Sequence, residues 1–282
     1  MTTMWPVGVS AETEVAGLHG AADIWLLAES AVAGLATVLD AELLLTEEER
    51  RRRDRLVRPD SRLRFLGARM LTRYALSRYA GLPPDRWRFG AGPYGRPEIV
   101  GGNRWALDFN VSHTDGLIAC VVSRYRRTGV DTERWPARPE AVRLAGKVLT
   151  AREQAHLGGL DEGARRRTFS GYWVLKEAYT KALGLGLQRR FDSFEVYDSP
   201  AGVPVLSDPT LGPGGGLWQL GLLDVPPAHL LGVAVRRGEA EPPIRLRIRD
   251  AGRELMLPGD PRITGPAIRA ERLSGLTGLG IV

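Results

Sequence analysis

The order of secondary-structure elements repeats once along this chain, and that repeat constrains the fold more than any other feature. A strand, then helices, then further strands are expected before Arg127, and the same order is expected after it. This doubling predicts an α+β protein with two lobes and a cleft between them. We place the boundaries at 1–127 for an N-terminal lobe, 128–238 for a C-terminal lobe, and 239–282 for an extension without a clear pattern.

Hydrophobic spacing and turn residues place the elements inside each lobe. Thr46 followed by Glu49 is typical of a helix N-terminus with a capping box, and Gly184 is typical of a helix C-terminus. Helices are predicted at 41–55, 61–80, 144–157 and 164–183. Strands are predicted at 23–28, 109–112, 117–123, 129–133, 193–197, 218–223 and 231–236.

The bulk properties indicate a globular cytoplasmic protein. No apolar run approaches the roughly 20 residues that a membrane helix needs, and residues 1–14 lack the pattern of a secretory signal. Cys120 is the only cysteine, so an intrachain disulfide is excluded. The formal net charge is +6 and the pI is about 9.8, which favours an acidic partner such as a nucleic acid, a polyphosphate ligand or an acidic protein.

Three carboxylates have a spacing that can bring them to one metal ion. Asp131 and Glu133 are two residues apart on a predicted strand, so their side chains share a face. Glu177 lies on a predicted helix, four residues before Lys181 and four after Trp173, so all three side chains lie on one helix face. Carboxylates without a His or Cys cluster suit a hard cation, Mg²⁺ first. The alternative is an ordinary solvated strand end.

Lysine is rare in this arginine-rich chain, and its placement is informative. The lysines are Lys147, Lys176 and Lys181, and two of them fall in the segment Trp173–Lys181. Lysine and arginine are not interchangeable where a compact point charge must touch a phosphate. Chance survival of two surface lysines is the alternative explanation.

Other polar residues are candidates for contacts to phosphate or ribose. Ser112 and His113 follow a predicted strand, and Arg96 and Pro97 lie in a rigid turn beside Gly95. Further arginines on the predicted helix at 61–80 or just before it offer a basic face: Arg58, Arg62, Arg64 and Arg69. A solvated surface explains each of these residues equally well when it is taken alone. The sequence lacks a Walker-type loop, zinc-spaced Cys/His sets and a Gly-x-Ser-x-Gly elbow.

Four sequence blocks, taken in order, resemble one enzyme family. The blocks are Tyr94–Pro97, Phe109–His113, Gly129–Glu133 and Trp173–Lys181. In this order they resemble the 4′-phosphopantetheinyl transferases, in particular the pseudo-dimeric type that activates surfactin synthetase. The resemblance covers roughly residues 40–200. It implies an α+β fold of two similar lobes related by a pseudo-twofold axis, each with a small sheet and helices, and with coenzyme A bound in the cleft.

The resemblance also implies roles for individual residues. Metal ligands would be Asp131, Glu133 and Glu177, and Lys181 would hold the coenzyme A diphosphate. Glu177 or Glu153 would take the proton from the attacking serine. The residues expected to contact coenzyme A are Arg58, Arg62, Arg64, Arg96, Pro97, Ser112, His113 and Lys181.

The implied reaction moves phosphopantetheine from coenzyme A to a serine of an acidic acyl or peptidyl carrier protein. It requires Mg²⁺ and releases adenosine 3′,5′-bisphosphate, and a monomer is expected. The chain departs from the family pattern at Arg96, where lysine is expected, at a flexible insertion over 212–216, and in the tail after 238.

The sequence also allows three other functions to be considered. A nucleic-acid-binding protein would use its arginines, but the acidic residues are numerous and interspersed. A degenerate family member would bind coenzyme A or a carrier protein without transfer, and the intact acidic residues argue against it. A nuclease would share the metal site but would give no reason for Ser112–His113 or for Arg96–Pro97.

Overall fold

The computed structural model describes residues 15–212, 216–255, 271, 272 and 276. The expectations about residues 1–14 and about 213–215 of the insertion fall outside this part of the chain, as does most of the extension after residue 255. None of the described helices combines the length and the apolar composition that crossing a bilayer would require.

The elements are numbered here in chain order. The strands are β1 Ala21–Ala28, β2 Phe89–Ala91, β3 Pro97–Ile99, β4 Leu107–Thr114, β5 Leu117–Arg124, β6 Thr128–Arg134, β7 Glu195–Asp198, β8 Pro204–Ser207, β9 Leu217–Val225, β10 His229–Arg237, β11 Arg245–Asp250 and β12 Glu271–Arg272. The α-helices are α1 Val32–Val38, α2 Ala41–Leu44, α3 Glu47–Arg55, α4 Pro59–Ala80, α5 Pro139–Val142, α6 Ala145–Val148, α7 Ala151–Gly158, α8 Glu162–Leu183 and α9 Ala251–Leu255. Short 3₁₀ turns occur at Glu29–Ala31, Pro84–Arg86, Gly186–Gln188 and Phe191–Ser193.

The predicted α+β class and the doubled element order are confirmed. One four-stranded sheet has the order β11-β1-β5-β4, and the other has the order β12-β9-β10-β6. In both halves the first strand pairs antiparallel with the last strand of that half, β1 with β5 and β6 with β10. That last strand then pairs antiparallel with the strand before it in the chain. The two halves therefore share one topology.

The helices repeat as well. A short helix with a capping box begins after Thr46 in the first half and after Thr150 in the second. Each short helix is followed by a helix of 22 residues, α4 or α8. Both long helices end at a glycine in the left-handed region, Gly81 with φ 63° and Gly184 with φ 78°, as helix C-termini often do.

Two predicted helices are each divided in the structure, and the physical reason is the same. The segment predicted as one helix over 41–55 breaks between α2 and α3, and the segment over 144–157 breaks between α6 and α7. In both places a threonine adopts an extended backbone conformation so that its hydroxyl accepts the N–H of the glutamate three residues later. A helix cannot run through a residue that caps the next helix.

Apolar packing orders the layers of the molecule. Helix α4 packs on the first sheet, where it covers side chains such as Trp25 of β1. Helix α8 packs on the second sheet through its own side chains, such as Leu175. A third apolar cluster, which includes Ile24, Val121 and Val233, lies between the sheets. The space between the halves is therefore filled by apolar side chains at its centre, and the polar site lies where strands β4 and β6 meet.

Side chains of β4 join the two halves along that line. Asp108 Oδ2 accepts the N–H of Thr128 at 2.8 Å, and Asn110 Oδ1 accepts the N–H of Val130 at 3.0 Å. Ser112 Oγ donates to Asp131 Oδ1 at 2.8 Å. Because these β4 residues alternate, all three side chains face β6. This set of contacts is called the β4–β6 seam below.

The extension has a structural role that its sequence did not indicate. Strand β11 pairs in parallel with β1 and forms the edge of the first sheet. It brings Arg247 Nε to 2.5 Å from Oδ1 of Asp23, a carboxylate that is fully buried. Tyr79 donates to Asp23 Oδ2 at 2.6 Å. Chain beyond residue 238 therefore completes a sheet that starts at residue 21.

Replacing Arg247 with alanine should destabilise the protein by about 2 kcal/mol. The buried carboxylate of Asp23 loses a charge-assisted hydrogen bond, whereas Arg249 at 3.4 Å still offsets part of its charge. Urea unfolding measures the change. Arg245→Ala removes an exposed arginine from the same strand and is the matched control. Equal stabilities of the two variants would contradict this account of the extension.

Candidate functional site

Two glycines let helix α8 lie unusually close to the second sheet. A Cβ atom on Gly129 would lie 2.0 Å from the carbonyl oxygen of Ala178, and one on Gly232 would lie 2.4 Å from that of Val174. Both positions therefore require glycine. Gly129 shares its strand face with Asp131 and Glu133. The close approach thus sets the carboxylates of β6 against the helix that carries Glu177 and Lys181.

The centre of the site is a three-residue contact between both halves of the molecule. Lys181 Nζ donates to Asp131 Oδ1 at 2.5 Å and to Ser112 Oγ at 3.0 Å. The side chain of Asp131 is 6% exposed, whereas that of Lys181 is 27% exposed. The Lys181 side chain therefore contacts a buried carboxylate while part of it remains exposed to solvent.

The remaining carboxylates lie close enough for their charges to interact. Burial, with the charge of Asp131 second, raises the pKa of Glu133 to about 7. Burial and the charge of Asp131 also raise the pKa of Glu177, and Lys181 opposes that shift only in part. Lys181 is thus the cation close to all three carboxylates, and its single positive charge leaves a local excess of negative charge.

This excess fits a cation, and one atom gives independent support. Asp131 Oδ2 is buried and has no hydrogen-bond partner among the described residues. A buried polar atom without a partner is rare and calls for an explanation such as an ion. The described residues contain no preformed group of three His, Cys, Asp or Glu ligands. A metal ion would therefore have to draw the carboxylates together.

Two cavities flank this cluster. One, of about 200 Å³, is lined by Lys181, Asn110 and Gly184 together with the predicted turn Tyr94–Pro97. The other, of about 550 Å³, has Glu133 in its wall together with the aromatic side chains of Trp135, Phe169 and Trp173. The four sequence blocks thus meet around one site that opens on two sides.

Arg96 has a different environment from the one expected for a ligand contact. Its guanidinium donates to the carbonyl oxygens of Ala182, Phe109 and Thr128 and forms an ion pair with Asp108 at 2.7 Å. The side chain is 5% exposed. Arg96 therefore connects the end of α8 to the β4–β6 seam, and it also lines the smaller cavity.

The other basic candidates separate into two groups. His113 is close to the site: desolvation by the surrounding protein and the charges of Lys181 and Arg64 lower its pKa. Arg64 pairs with Glu29 and Asp115, both at 3.2 Å. Arg58 is largely exposed near Asp60, and Arg62 donates to the carbonyl oxygen of Leu56. The contacts of these last two arginines are local, within six residues of each.

Glu153 and Lys176 lie in the protein interior and bond to each other. Lys176 Nζ is 2.8 Å from Glu153 Oε1 and also donates to the carbonyl oxygens of Phe191 and Phe194. Neither side chain is more than 1% exposed. Only one of the two lysines in the segment Trp173–Lys181 therefore faces the site, and Glu153 serves as a helix cap and an ion-pair partner.

Some residues that shape the site were not singled out from the sequence. Asp108 and Asn110 precede Ser112 at two-residue intervals, so their alternation along β4 was a usable signal. The spacing of Gly129 could also have identified it, since it precedes Asp131 by two residues on the same strand. The need for glycine there depends on the position of α8, which the sequence does not give.

Comparison with known proteins points to one enzyme superfamily. The ACPS family, the 4′-phosphopantetheinyl transferase superfamily, matches residues 127–230. This stretch contains Asp131, Glu133, Glu177 and Lys181.

Individual relatives extend the match. The 4′-phosphopantetheinyl transferase HetI of Nostoc is 33% identical over 164 residues, which cover 57% of this chain and 68% of HetI. The 4′-phosphopantetheinyl transferase Sfp of Bacillus subtilis is 27% identical over 152 residues, covering 54% of this chain and 66% of Sfp. A holo-[acyl-carrier-protein] synthase of Limosilactobacillus fermentum is 44% identical over 101 residues, covering 35% of this chain and 77% of the synthase.

The chain spans 53% to 66% of the length of several further relatives. The similarity to HetI and to the synthase covers more than two thirds of each protein, and the resemblance of the four sequence blocks is confirmed. This chain belongs to the 4′-phosphopantetheinyl transferase superfamily.

Proposed function

We propose that this protein transfers 4′-phosphopantetheine from coenzyme A to a serine of an apo carrier protein. The observation that carries the proposal is the cluster at the β4–β6 seam. There Lys181 contacts Asp131 and Ser112 beside two further carboxylates of raised pKa. The names of HetI, Sfp and the acyl-carrier-protein synthase support the same reaction class.

In the proposed reaction the serine oxygen attacks the β-phosphorus of coenzyme A. The bond between that phosphorus and the bridging oxygen breaks, and adenosine 3′,5′-bisphosphate leaves with the electron pair. Glu177 accepts the serine proton, because it is a carboxylate of this cluster next to Asp131 and Lys181. Glu153 does not take this role, because its carboxylate is 1% exposed and paired with Lys176.

Basic and polar groups hold the diphosphate. Lys181 supplies positive charge at the mouth of the smaller cavity. His113 and Ser112 offer an N–H and a hydroxyl, and Arg64 adds charge next to His113. Charges and dipoles directed at the diphosphate stabilise the charge that develops in a phosphoryl transition state.

Asp131, Glu133 and Glu177 would hold the Mg²⁺ ion. When bound, such an ion neutralises charge on the diphosphate. Carboxylate oxygen ligands suit this hard cation, and Asp131 Oδ2 has no hydrogen-bond partner among the residues that the structure describes.

The proposed partner is an acidic carrier protein. The formal charge of +6 supports an acidic partner, because opposite charges speed encounter. The protein is proposed to act as a monomer in the cytoplasm.

Product analysis tests the reaction. The protein is incubated with coenzyme A, Mg²⁺ and an apo carrier protein, and adenosine 3′,5′-bisphosphate is quantified by chromatography. Transfer predicts product in a 1:1 ratio to modified carrier and none without carrier. Product that forms equally fast without carrier would indicate hydrolysis of coenzyme A and would contradict the proposal.

Metal binding should weaken as the pH falls below 7. The pKa of Glu133 is raised to about 7, so the metal-free protein carries a proton there at pH 6 and has lost most of it at pH 8. A metal must displace that proton, and its affinity therefore rises through this range and then levels off. Titration with Mn²⁺ at pH 6, 7 and 8 measures the trend. An affinity independent of pH over this range would contradict the role of Glu133 as a ligand.

A further inference from the structure

Lys181 and a metal ion would need the same carboxylate. Lys181 Nζ is 2.5 Å from Asp131 Oδ1, and Ser112 Oγ donates to that same oxygen. Asp131 is central among the acidic residues, since its charge acts on both Glu133 and Glu177. A metal ion bound to Asp131 would lie beside the ammonium group, and like charges this close repel each other.

The surroundings of Lys181 give it a second position to occupy. Its side chain is 27% exposed and lines the cavity of about 200 Å³ that the turn Tyr94–Pro97 also lines. The lysine side chain has a flexible four-carbon stem, so its ammonium can turn from the carboxylate toward this cavity. An anion held there would offer the ammonium a partner in place of Asp131.

We propose that Lys181 acts as an internal competitor of the metal ion, and that a diphosphate ligand releases Asp131 by drawing Lys181 away. The inference rests on the proposed function and adds an order of binding to it. Metal alone binds weakly, and metal together with the diphosphate of coenzyme A binds tightly. Because coupling between two ligands is reciprocal, metal strengthens the binding of coenzyme A by the same factor.

Metal binding to the full chain tests the competition without any measurement of turnover. Free Mn²⁺ is followed by electron paramagnetic resonance, first with Mn²⁺ alone and then with coenzyme A, after correction for the Mn²⁺–coenzyme A complex. Lys181→Gln should raise the affinity for Mn²⁺ alone by about tenfold, within the usual range of coupling between sites. The gain in Mn²⁺ affinity on adding coenzyme A should shrink by a similar factor.

Two variants serve as controls. Lys147→Gln removes an exposed lysine elsewhere in the same half and should leave Mn²⁺ binding unchanged. Lys181→Arg keeps a cation that can pair with Asp131, so its affinity for Mn²⁺ alone should stay low.

The outcomes separate this inference from the proposed function. Unchanged or weaker binding of Mn²⁺ alone to Lys181→Gln would overturn the competition, while the transfer reaction could still stand. If the unmodified protein binds neither Mn²⁺ nor coenzyme A, in any combination, the proposed function fails as well.

Discussion

Asp131→Ala should lower the rate of phosphopantetheine transfer by about 10²-fold or more. Asp131 is the carboxylate that contacts Lys181 and Ser112, and its second oxygen is buried with no hydrogen-bond partner in the described part of the chain. Its loss removes a proposed metal ligand. Loss of a single electrostatic stabiliser typically lowers rates by this factor. Initial rates with coenzyme A, Mg²⁺ and an apo carrier protein measure the effect.

The fold should survive this change, which makes the result interpretable. Asp131 lies among acidic neighbours, so removing its charge relieves repulsion in the metal-free protein. Asp131→Asn keeps the shape of the side chain and should lose a similar factor in rate. Glu140→Ala removes an exposed acidic residue from the same half and is the matched control. Nearly normal rates for both Asp131 variants would exclude this residue from the reaction.

Lys176→Met should destabilise the protein by about 3–5 kcal/mol. The substitution leaves Glu153 as a buried carboxylate without its cation and removes donors from two carbonyl oxygens. Breaking a buried ion pair from one side has this typical effect. Urea unfolding followed by circular dichroism measures it.

Two further variants sharpen the test. Lys147→Met changes an exposed lysine and should shift stability by no more than about 0.5 kcal/mol. Adding Glu153→Gln to Lys176→Met removes the lone charge and should recover part of the lost stability. If Glu153→Gln alone abolished transfer without lowering stability, Glu153 would be a catalytic base and the structural role given to it here would be wrong.

Much of the fold could be predicted because local signals agreed with each other. Helices α4 and α8 and the strands predicted at 23–28, 109–112, 117–123, 129–133, 193–197, 218–223 and 231–236 are found to within two residues at each end. The breaks before α3 and α7 were missed, although Thr46 was identified as a cap. A capping threonine must be extended, so the helix before it has to end. Strand β11 was missed because its partner β1 is more than 200 residues away.

The site shows which signals a sequence carries and which it lacks. The spacing of Asp131 with Glu133, and of Glu177 with Lys181, was informative because strand and helix periods fix which side chains share a face. Lys176 and Arg96 were harder to interpret. Both carry charges that suggest a ligand, yet both bond to backbone carbonyls inside the protein. Tertiary packing decides whether a charged side chain is buried, and a local sequence pattern does not show it.

The most direct test of the central claim is the intact mass of an apo carrier protein after incubation with this protein, coenzyme A and Mg²⁺. The account predicts that the carrier gains one phosphopantetheine group. That gain should disappear when EDTA removes the metal and when Asp131→Ala replaces the unmodified protein. An unchanged carrier mass across acyl and peptidyl carrier proteins, with coenzyme A shown to bind, would contradict the claim that this site performs the transfer.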